Sequence, residues 1–574
     1  MRKSNYDKYP ATAVSGDIAM GWEDILDRLS EEYASAQVWA VELYTGVHEA
    51  EVEAAFANSD REVLRTRDFM KPEAEVMELT RRFMTDDVLF GYISNVQLEE
   101  YFDQTKIGNL KYKTSAKYVV IGTGAALFVG KDAPVFYLDM ARWEIQQRFR
   151  AHTVKALGVD NSAESPSLQY KRGFFNDWNI CDRHKYSLGA AGRIAYWIDT
   201  NKAGEPKMIS NVLMMEGLKK TARQPFRVVP FFDPAPWGGQ WMKTVCGLDM
   251  EKINYGWCFD CVPEENSLYF NVDGVDFEMP SQNLVLFETR RLLGEAVESR
   301  FGKSFPIRFD FLDTMEGGNL SLQVHPTTQF VHENFGIHYT QDESYYLLDA
   351  TDEAVVYLGL KEGIDKEQMI DDLRAAQKGN LVFDAEKYVN KFPAKKHDHY
   401  LIPGGTIHCS GQNSMVLEIS STPNLFTFKL WDWQRLGLDG KPRPINVERG
   451  RQVIDWGRDT EYARKHLCNR FSVIEETDDY VEERTGLHPN EFIETRRHTF
   501  TGKVFHKTDG SVNVLNLVDG DEAVITSPTN AFEPFVVHYA ETFIIPASVE
   551  EYVIEPYGLS AGKRCMTLKA YVRI

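Results

Sequence analysis

From about Pro225 onward, the chain consists of short apolar runs separated by Pro, Gly, Asn and Asp, and this texture constrains the fold more than any other feature. Runs of four to eight apolar residues bounded by turn residues predict β-strands, and many of them in series predict a sandwich or a barrel. One stretch with helical spacing, residues 366–377, interrupts the series. The predicted strands include residues 226–232, 284–287, 307–312, 344–348, 354–358, 512–518 and 541–547.

Before Pro225 the pattern is different. Residues 22–29 and 71–84 have helical spacing, whereas residues 38–41 and 118–121 are short apolar runs that predict buried strands. Strands that alternate with helices indicate an α/β layer structure. The predicted fold class is therefore multidomain α+β, with an N-terminal α/β domain ahead of all-β domains. The predicted parts are an α/β domain at 1–220, a β-rich domain at 221–455, a charged connecting segment at 456–490 and a second β-rich domain at 491–574.

The charge of the chain limits its partners. The 574 residues include 64 Lys and Arg and 85 Asp and Glu, a formal net charge of −21. Binding to nucleic acid or to an anionic membrane needs clustered cations, so neither is expected. No signal-peptide core is apparent near Met1, and the seven cysteines do not form a disulfide pattern, which favours a cytoplasmic location. The sequence does not indicate the oligomeric state.

Four polar residues in the first β-rich region have the spacing of a metal site. Gln323 and His325 are two apart, so in a strand they point to the same face. Glu343 precedes an apolar run, and a Pro-Gly-Gly turn at 403–405 leads to His408. Imidazole nitrogens and a carboxylate are suitable zinc ligands. The spacing alone leaves open that these are ordinary polar residues on surface strands.

The motifs around these residues resemble class I mannose-6-phosphate isomerases. The matching segments are Gln323-Val-His325-Pro, Glu343 followed by Tyr346-Leu-Leu-Asp-Ala, and Ile402-Pro-Gly-Gly-Thr-Ile-His408. Flanking matches are Pro236-Trp-Gly-Gly, Val416-Leu-Glu-Ile, Trp431-Asp-Trp-Gln-Arg435 and Leu438-Asp-Gly-Lys-Pro-Arg443. The resemblance runs from about Pro225 to Ile574.

This resemblance implies a pair of cupin (jelly-roll) barrels, of which the first binds one zinc ion through Gln323, His325, Glu343 and His408. The second barrel is expected to lack a metal, so a structural role is expected for His538. The implied reaction interconverts mannose 6-phosphate and fructose 6-phosphate through a cis-enediol, and the implied partner is a small-molecule sugar phosphate. Trp237 and Arg435 are the implied substrate-binding residues.

Two positions depart from the family pattern. Gln341 stands where many members have a lysine, and an amide does not transfer protons at neutral pH. Lys429 stands at the position of an active-site arginine, and we expect it to be a catalytic or phosphate contact. Arg443 is a further candidate for phosphate, and His338 is a candidate base in place of the missing lysine. The alternative function is a metal-binding cupin that senses a sugar without turnover.

The remaining motifs give weaker indications of function. Gly122-Thr-Gly follows a predicted strand, but the third glycine of a dinucleotide fingerprint is absent, so a tight turn is the preferred interpretation. The segment 38–46 lies where a P-loop would lie but does not have the P-loop lysine. Residues 1–220 are similar to a degenerate nucleoside-kinase-like domain only in their overall pattern of predicted strands and helices. Cys258 and Cys261 are interpreted as a buried structural pair rather than a metal or redox site. The run 395–399 is interpreted as a solvated loop, with charge at a pocket mouth as the alternative.

Overall fold

The chain combines one largely parallel sheet with several antiparallel sheets. The computed structural model describes residues 4–422, 425–436, 443 and 445–574, and in these residues the strands form six sheets. Within the same residues, no helix is both long and apolar enough to cross a membrane. The structure is therefore of a mixed α/β type, as the sequence predicts at this coarse level.

The largest sheet lies in the first 210 residues, and its strand order is β2-β8-β7-β6-β3-β5-β4. The five strands from β7 to β4 are parallel, and continuous apolar runs such as Val38–Leu43 and Tyr118–Gly122 form its interior, as is usual when helices cover both faces. Both strand predictions in this region are confirmed, and so are both helices. The elements are β1 (Ala11–Val14), β2 (Ile18–Met20), α1 (Gly21–Glu32), β3 (Val38–Leu43), α2 (Glu49–Phe56), β4 (Glu62–Arg65), α3 (Glu73–Met84), α4 (Gln104–Gly108), β5 (Tyr118–Gly122), β6 (Val135–Asp139), α5 (Arg142–Arg150), α6 (Pro166–Arg172), α7 (Trp178–Ala190), β7 (Ile194–Asp199), β8 (Lys207–Ser210) and α8 (Asn211–Thr221).

The middle region contains two antiparallel sheets, with strand orders β18-β15-β20-β13-β10-β9 and β17-β16-β19-β14-β21. Apolar side chains from both sheets belong to one hydrophobic core, so the sheets form a sandwich. The elements are β9 (Phe231–Asp233), α9 (Trp241–Val245), β10 (Trp257–Cys261), β11 (Ser267–Val272), β12 (Val275–Pro280), α10 (Gln282–Phe287), α11 (Thr289–Leu293), α12 (Glu295–Phe301), β13 (Ile307–Asp313), β14 (Leu322–Val324), α13 (Thr328–Phe335), β15 (Glu343–Ala350), β16 (Val355–Leu360), α14 (Lys366–Gln377), α15 (Ala385–Tyr388), β17 (Val389–Pro393), β18 (His399–Ile402), β19 (His408–Ser410), β20 (Ser414–Ser421), β21 (Phe428–Trp431), α16 (Val447–Val453) and α17 (Thr460–Tyr462).

One strand prediction in this region is wrong, and the prediction for residues 226–232 is confirmed only at 231–232, in β9 (Phe231–Asp233). Residues 284–287 lie in helix α10 (Gln282–Phe287), where Leu284 and Val285 are buried. A run of four apolar residues fits a buried helix turn as well as a strand, so periodicity does not separate the two. The predicted helix at 366–377 is confirmed as α14, which begins after the N-cap Asp365.

The last region forms a second sandwich, with strand orders β22-β23-β24-β31-β26-β29 and β25-β30-β27-β28. Its two sheets share a core of their own. Strands β22 and β23 lie inside the stretch predicted to be a connection; β22 pairs with β23, and β23 pairs with β24. The elements are β22 (Ser472–Glu476), β23 (Tyr480–Gly486), β24 (Ile493–Phe500), β25 (Val504–Lys507), β26 (Asn513–Asp519), β27 (Glu522–Thr526), β28 (Phe535–His538), β29 (Thr542–Ile545), β30 (Glu551–Pro556) and β31 (Cys565–Val572).

Contacts of two kinds join these regions. Strand β1 pairs in parallel with β11 of the β11–β12 hairpin, whose turn is the sequence Asp273-Gly274, both with positive φ. The buried guanidinium of Arg227 forms an ion pair with Glu541 in the second sandwich at 2.9 Å.

Cys258 and Cys261 are buried free thiols, which agrees with their predicted structural role.

Candidate metal centre

Two adjacent strands of the five-stranded sheet and a glycine turn place three of the predicted ligands. In the sheet, Gln323 on β14 lies opposite His408 on β19. The Pro-Gly-Gly turn packs against the backbone at His325, where the Gly405 amide donates a hydrogen bond to the His325 carbonyl at 2.8 Å. Gly405 has φ +93°, and a Cβ at Gly404 would lie 2.5 Å from the Pro326 carbonyl oxygen. Glycine is therefore required at both positions of the turn that leads to His408.

The fourth residue, Glu343, begins β15 in the facing sheet and lies between the two imidazoles. His325 Nε2 is 2.8 Å from Glu343 Oε2, and His408 Nε2 is 3.0 Å from Glu343 Oε1. All four side chains are buried, with exposed fractions of 7% for Gln323, 1% for His325, 2% for Glu343 and 0% for His408. The structure thus brings all four predicted residues together.

The other ring nitrogens fix the orientation of both histidines. His325 Nδ1 lies 3.2 Å from the Phe426 carbonyl oxygen, and His408 Nδ1 lies 2.9 Å from the Thr406 carbonyl oxygen. A carbonyl oxygen only accepts, so each Nδ1 carries a proton, and a neutral ring of this tautomer has Nε2 available as a metal ligand. The two Nε2 atoms and the Glu343 carboxylate converge on one another, and a divalent cation among them would supply positive charge to all three, so the residues fit a metal.

Gln323 completes the set. Its Nε2 is 3.2 Å from His408 Nε2. Rotation of the amide by a half turn exchanges its nitrogen and oxygen without moving the heavy-atom positions, and then presents an oxygen ligand to the same point. Nitrogen and oxygen donors of this kind suit zinc and other first-row divalent ions.

A charged network lies behind the ligands. Burial raises the pKa of Glu343, but His325 and His408 outweigh it and hold the pKa well below its usual range. Gln341 Nε2 donates to Glu343 Oε2 at 3.2 Å and to Glu418 Oε1 at 3.4 Å. Burial, together with the nearby carboxylates of Asp310 and Glu343, raises the pKa of Glu418 well above its usual range. Gln341 therefore bridges two carboxylates in the place of the expected lysine.

Arg308 and Asp310 are two further members of this network, and neither belongs to a motif that the sequence predicts to be functional. Both point inward from β13, with Arg308 Nη2 2.5 Å from Asp310 Oδ2 and 3.6 Å from Glu418 Oε1. Burial raises the pKa of Asp310 to about 6. Their signal in the sequence is a pair of charges at i and i+2 inside an apolar strand, which places both on the buried face.

A cationic cluster lies beside the ligands. Lys429 on β21 lies opposite Gln323, on the same face as the metal ligands. Asp432 forms ion pairs with Arg435 at 2.6 Å and with Arg443 at 2.7 Å. Burial, with a contribution from Arg443, lowers the pKa of Lys429 to about 8. Three cations thus surround one carboxylate, a local net charge of +2.

Several other predicted residues lie elsewhere. The Trp237 indole is 3% exposed and packs edge-on against Trp257, so its substrate contact remains a prediction. His338 lies at the surface beside His332. His399 is completely buried at the start of β18, and so supplies no charge at a pocket mouth. His538 is in the second sandwich and bonds to Glu541. Residues 437–442 of the late family motif lie outside the described residues.

Comparisons with known proteins divide the chain into two parts. A family described as a domain of unknown function (DUF8485) matches residues 21–223. The mannose-6-phosphate isomerase of Streptococcus mutans is 27% identical over 224 residues, which is 39% of this chain and 65% of that protein. The chain thus spans slightly less than two thirds of this relative. Mannose-6-phosphate isomerase ManA of Bacillus subtilis is 22% identical over 344 residues, 59% of this chain and 95% of that protein.

Among solved structures, the mannose 6-phosphate isomerase from Bacillus subtilis aligns with 61% of this chain and 99% of its own, at 18% identity and a TM-score of 0.49. The curated relatives thus bear the name of the family that the sequence motifs resemble, and the similarity covers only part of the chain.

Proposed function

We propose that this chain is a zinc-dependent aldose–ketose isomerase that interconverts mannose 6-phosphate and fructose 6-phosphate. The observation that carries the proposal is the convergence of two imidazole Nε2 atoms on the two oxygens of one buried carboxylate. The names of the curated relatives support the reaction type. In this proposal the two sandwiches are a double cupin, preceded by an α/β domain over about residues 1–220. The free thiols of the seven cysteines fit a reducing compartment such as the cytoplasm.

One zinc ion per chain is proposed, held by Gln323, His325, Glu343 and His408. When bound, it would polarise the sugar oxygens and stabilise the negative charge that develops on them. The carbonyls of Phe426 and Thr406 hold both histidines in the tautomer that keeps Nε2 available as a ligand.

The cationic cluster is the proposed phosphate site. Lys429, Arg435 and Arg443 carry three positive charges against the single carboxylate of Asp432. A sugar phosphate brings the negative charge that this cluster lacks, and guanidinium groups suit phosphate oxygens. Lys429 lies on the strand next to that of Gln323, so a phosphate bound by the cluster would hold the sugar near the proposed ligands.

Movement of the proton between C1 and C2 requires a base. Gln341 does not titrate, so we assign this role to Glu418, a buried carboxyl that accepts from the same Gln341 amide as the ligand Glu343. Arg308 stays near Glu418 and balances its charge.

The test is an assay of zinc-loaded protein for conversion of mannose 6-phosphate to fructose 6-phosphate. Turnover is expected in the unaltered chain and in His538→Ala, which removes a histidine of the other sandwich. Loss of turnover is expected in His325→Ala and in Glu418→Gln, with metal retained only in the latter. Absence of turnover in fully loaded protein would rule out the reaction.

The second candidate function is a sugar sensor without turnover. The Gln341 amide favours this function, because it stands at the place of an expected lysine and donates to the carboxylates of Glu343 and Glu418. Calorimetry separates the two functions. Binding of the sugar phosphate without any product supports the sensor, and efficient turnover excludes it.

A further inference from the structure

The second sandwich has a polar patch on the inner face of its six-stranded sheet. Arg496 on β24 lies opposite Lys569 on β31, and Lys569 in turn lies opposite Leu515 on β26. Leu515 belongs to the apolar core between the two sheets. Because paired residues share a face, the charges of Arg496 and Lys569 point into the sandwich rather than to solvent.

Lys569 is an unusual residue in this position. Its side chain is 7% exposed, and among the described residues its ammonium group makes no hydrogen bond and no ion pair. Its ammonium nitrogen lies 5.6 Å from the centre of the Tyr571 ring. Burial lowers the pKa of this lysine to about 8. A buried ammonium without a hydrogen-bonding partner is costly for folding, and the nearby Glu482 carboxylate offsets part of that cost.

Arg496 lies beside it and is held by two carboxylates and a tyrosine. Its Nη1 contacts Glu482 at 2.9 Å and its Nε contacts Glu494 at 2.8 Å. Tyr571 is a further hydrogen-bonding partner of both Arg496 and Glu494. A guanidinium held by two carboxylates in this way is rigid and still able to bind an anion.

A cavity of about 350 Å³ opens over these two cations. Asn513 and Tyr571 also line it, and Lys507 and Asp509 are at its exposed rim. The volume lies within the range of sites for small molecules. Cations outnumber carboxylates on its wall, although the chain as a whole has a net charge of −21.

We propose that this cavity is a second ligand site, which binds a small phosphate monoester with Lys569 and Arg496 at the phosphate group. Asn513 Oδ1 provides an acceptor for a hydroxylated remainder such as a sugar, since the amide nitrogen of Asn513 already donates to Tyr552. The site is independent of the metal centre and of the proposed isomerase activity, because its residues all belong to the other sandwich.

The test uses the full chain with Lys429→Met, which weakens phosphate binding at the first sandwich. Fructose 6-phosphate is titrated calorimetrically into this variant, and one binding event is expected to remain. Adding Lys569→Met should weaken that event at least tenfold. The matched control is Lys503→Met, which removes a lysine of the same sandwich that is exposed and lies 3.6 Å from Glu555; it should leave the event unchanged.

Thermal unfolding provides the second readout. Without ligand, Lys569→Met should unfold at the same or a higher temperature, because it removes an unpaired buried charge. A lower unfolding temperature would show a structural lysine and overturn the proposal. Unchanged binding in Lys569→Met would overturn it as well. Equal binding of inorganic phosphate and fructose 6-phosphate would overturn the assignment of a monoester site.

Discussion

Replacement of Lys429 by methionine tests the proposed phosphate site. The change removes one of three cations around Asp432 and keeps the length and apolar stem of the side chain. A hydrogen bond from a charged donor contributes about 1.5–3 kcal/mol. We therefore expect kcat/KM for mannose 6-phosphate to fall about 10- to 150-fold, mostly through KM, because the phosphate does not take part in the proton transfer.

The pH dependence of KM should report the same lysine. Its pKa of about 8 means that the ammonium is charged below that pH and neutral above it. KM for the phosphosugar should therefore rise as the pH increases through about 8. In Lys429→Arg the charge persists at all these pH values, so the rise should disappear.

Steady-state kinetics with and without the phosphate group provide the assay. Unphosphorylated mannose is the control substrate, and its slow conversion should be the same in Lys429→Met and in the unaltered chain. The reasoning is refuted if Lys429→Met leaves KM for mannose 6-phosphate unchanged. It is equally refuted if both substrates lose activity to the same extent, since Lys429 would then act on the sugar or on the fold.

Two further predictions concern stability. Burial lowers the pKa of His399 from 6.5 to about 3, so the unfolded chain takes up the proton first and stability falls as the pH drops below 6.5. At pH 5 this costs about 2 kcal/mol, and His399→Gln should flatten the decline of the unfolding temperature between pH 7 and 5. Arg227→Met leaves buried Glu541 without its 2.9 Å partner, so denaturant titration should show a loss of about 3–5 kcal/mol, against little change for the exposed Arg290→Met.

Local spacing indicated some of the candidate metal ligands, and the family motifs were needed for the full set. Gln323 and His325 share a face because a strand repeats every two residues, and glycine at 404 and 405 shows that the chain must approach something closely before His408. The motifs then supplied Glu343, which no local pattern connects to the others. The convergence of the four residues depends on strand pairing across about 85 residues of sequence, which spacing alone does not encode.

The surroundings of the site were harder to predict for the same reason. The sequence shows Gln341 as a departure from the family pattern. Its hydrogen-bonded bridge between Glu343 and Glu418 is not visible there, because it depends on the pairing of β15 with β20. The inward charges of Arg308 and Asp310 were visible as an i, i+2 pair, yet their partners lie more than a hundred residues away. Residues 284–287 were misassigned because so short an apolar run has no period.

Metal analysis of the purified chain tests the central claim most directly. After zinc loading and removal of excess metal, the account predicts one zinc ion per chain, and none in the double variant His325→Ala/His408→Ala. His538→Ala, the control from the other sandwich, should retain one ion. The account is contradicted if the unaltered chain binds no zinc, or if the double variant still holds one ion per chain.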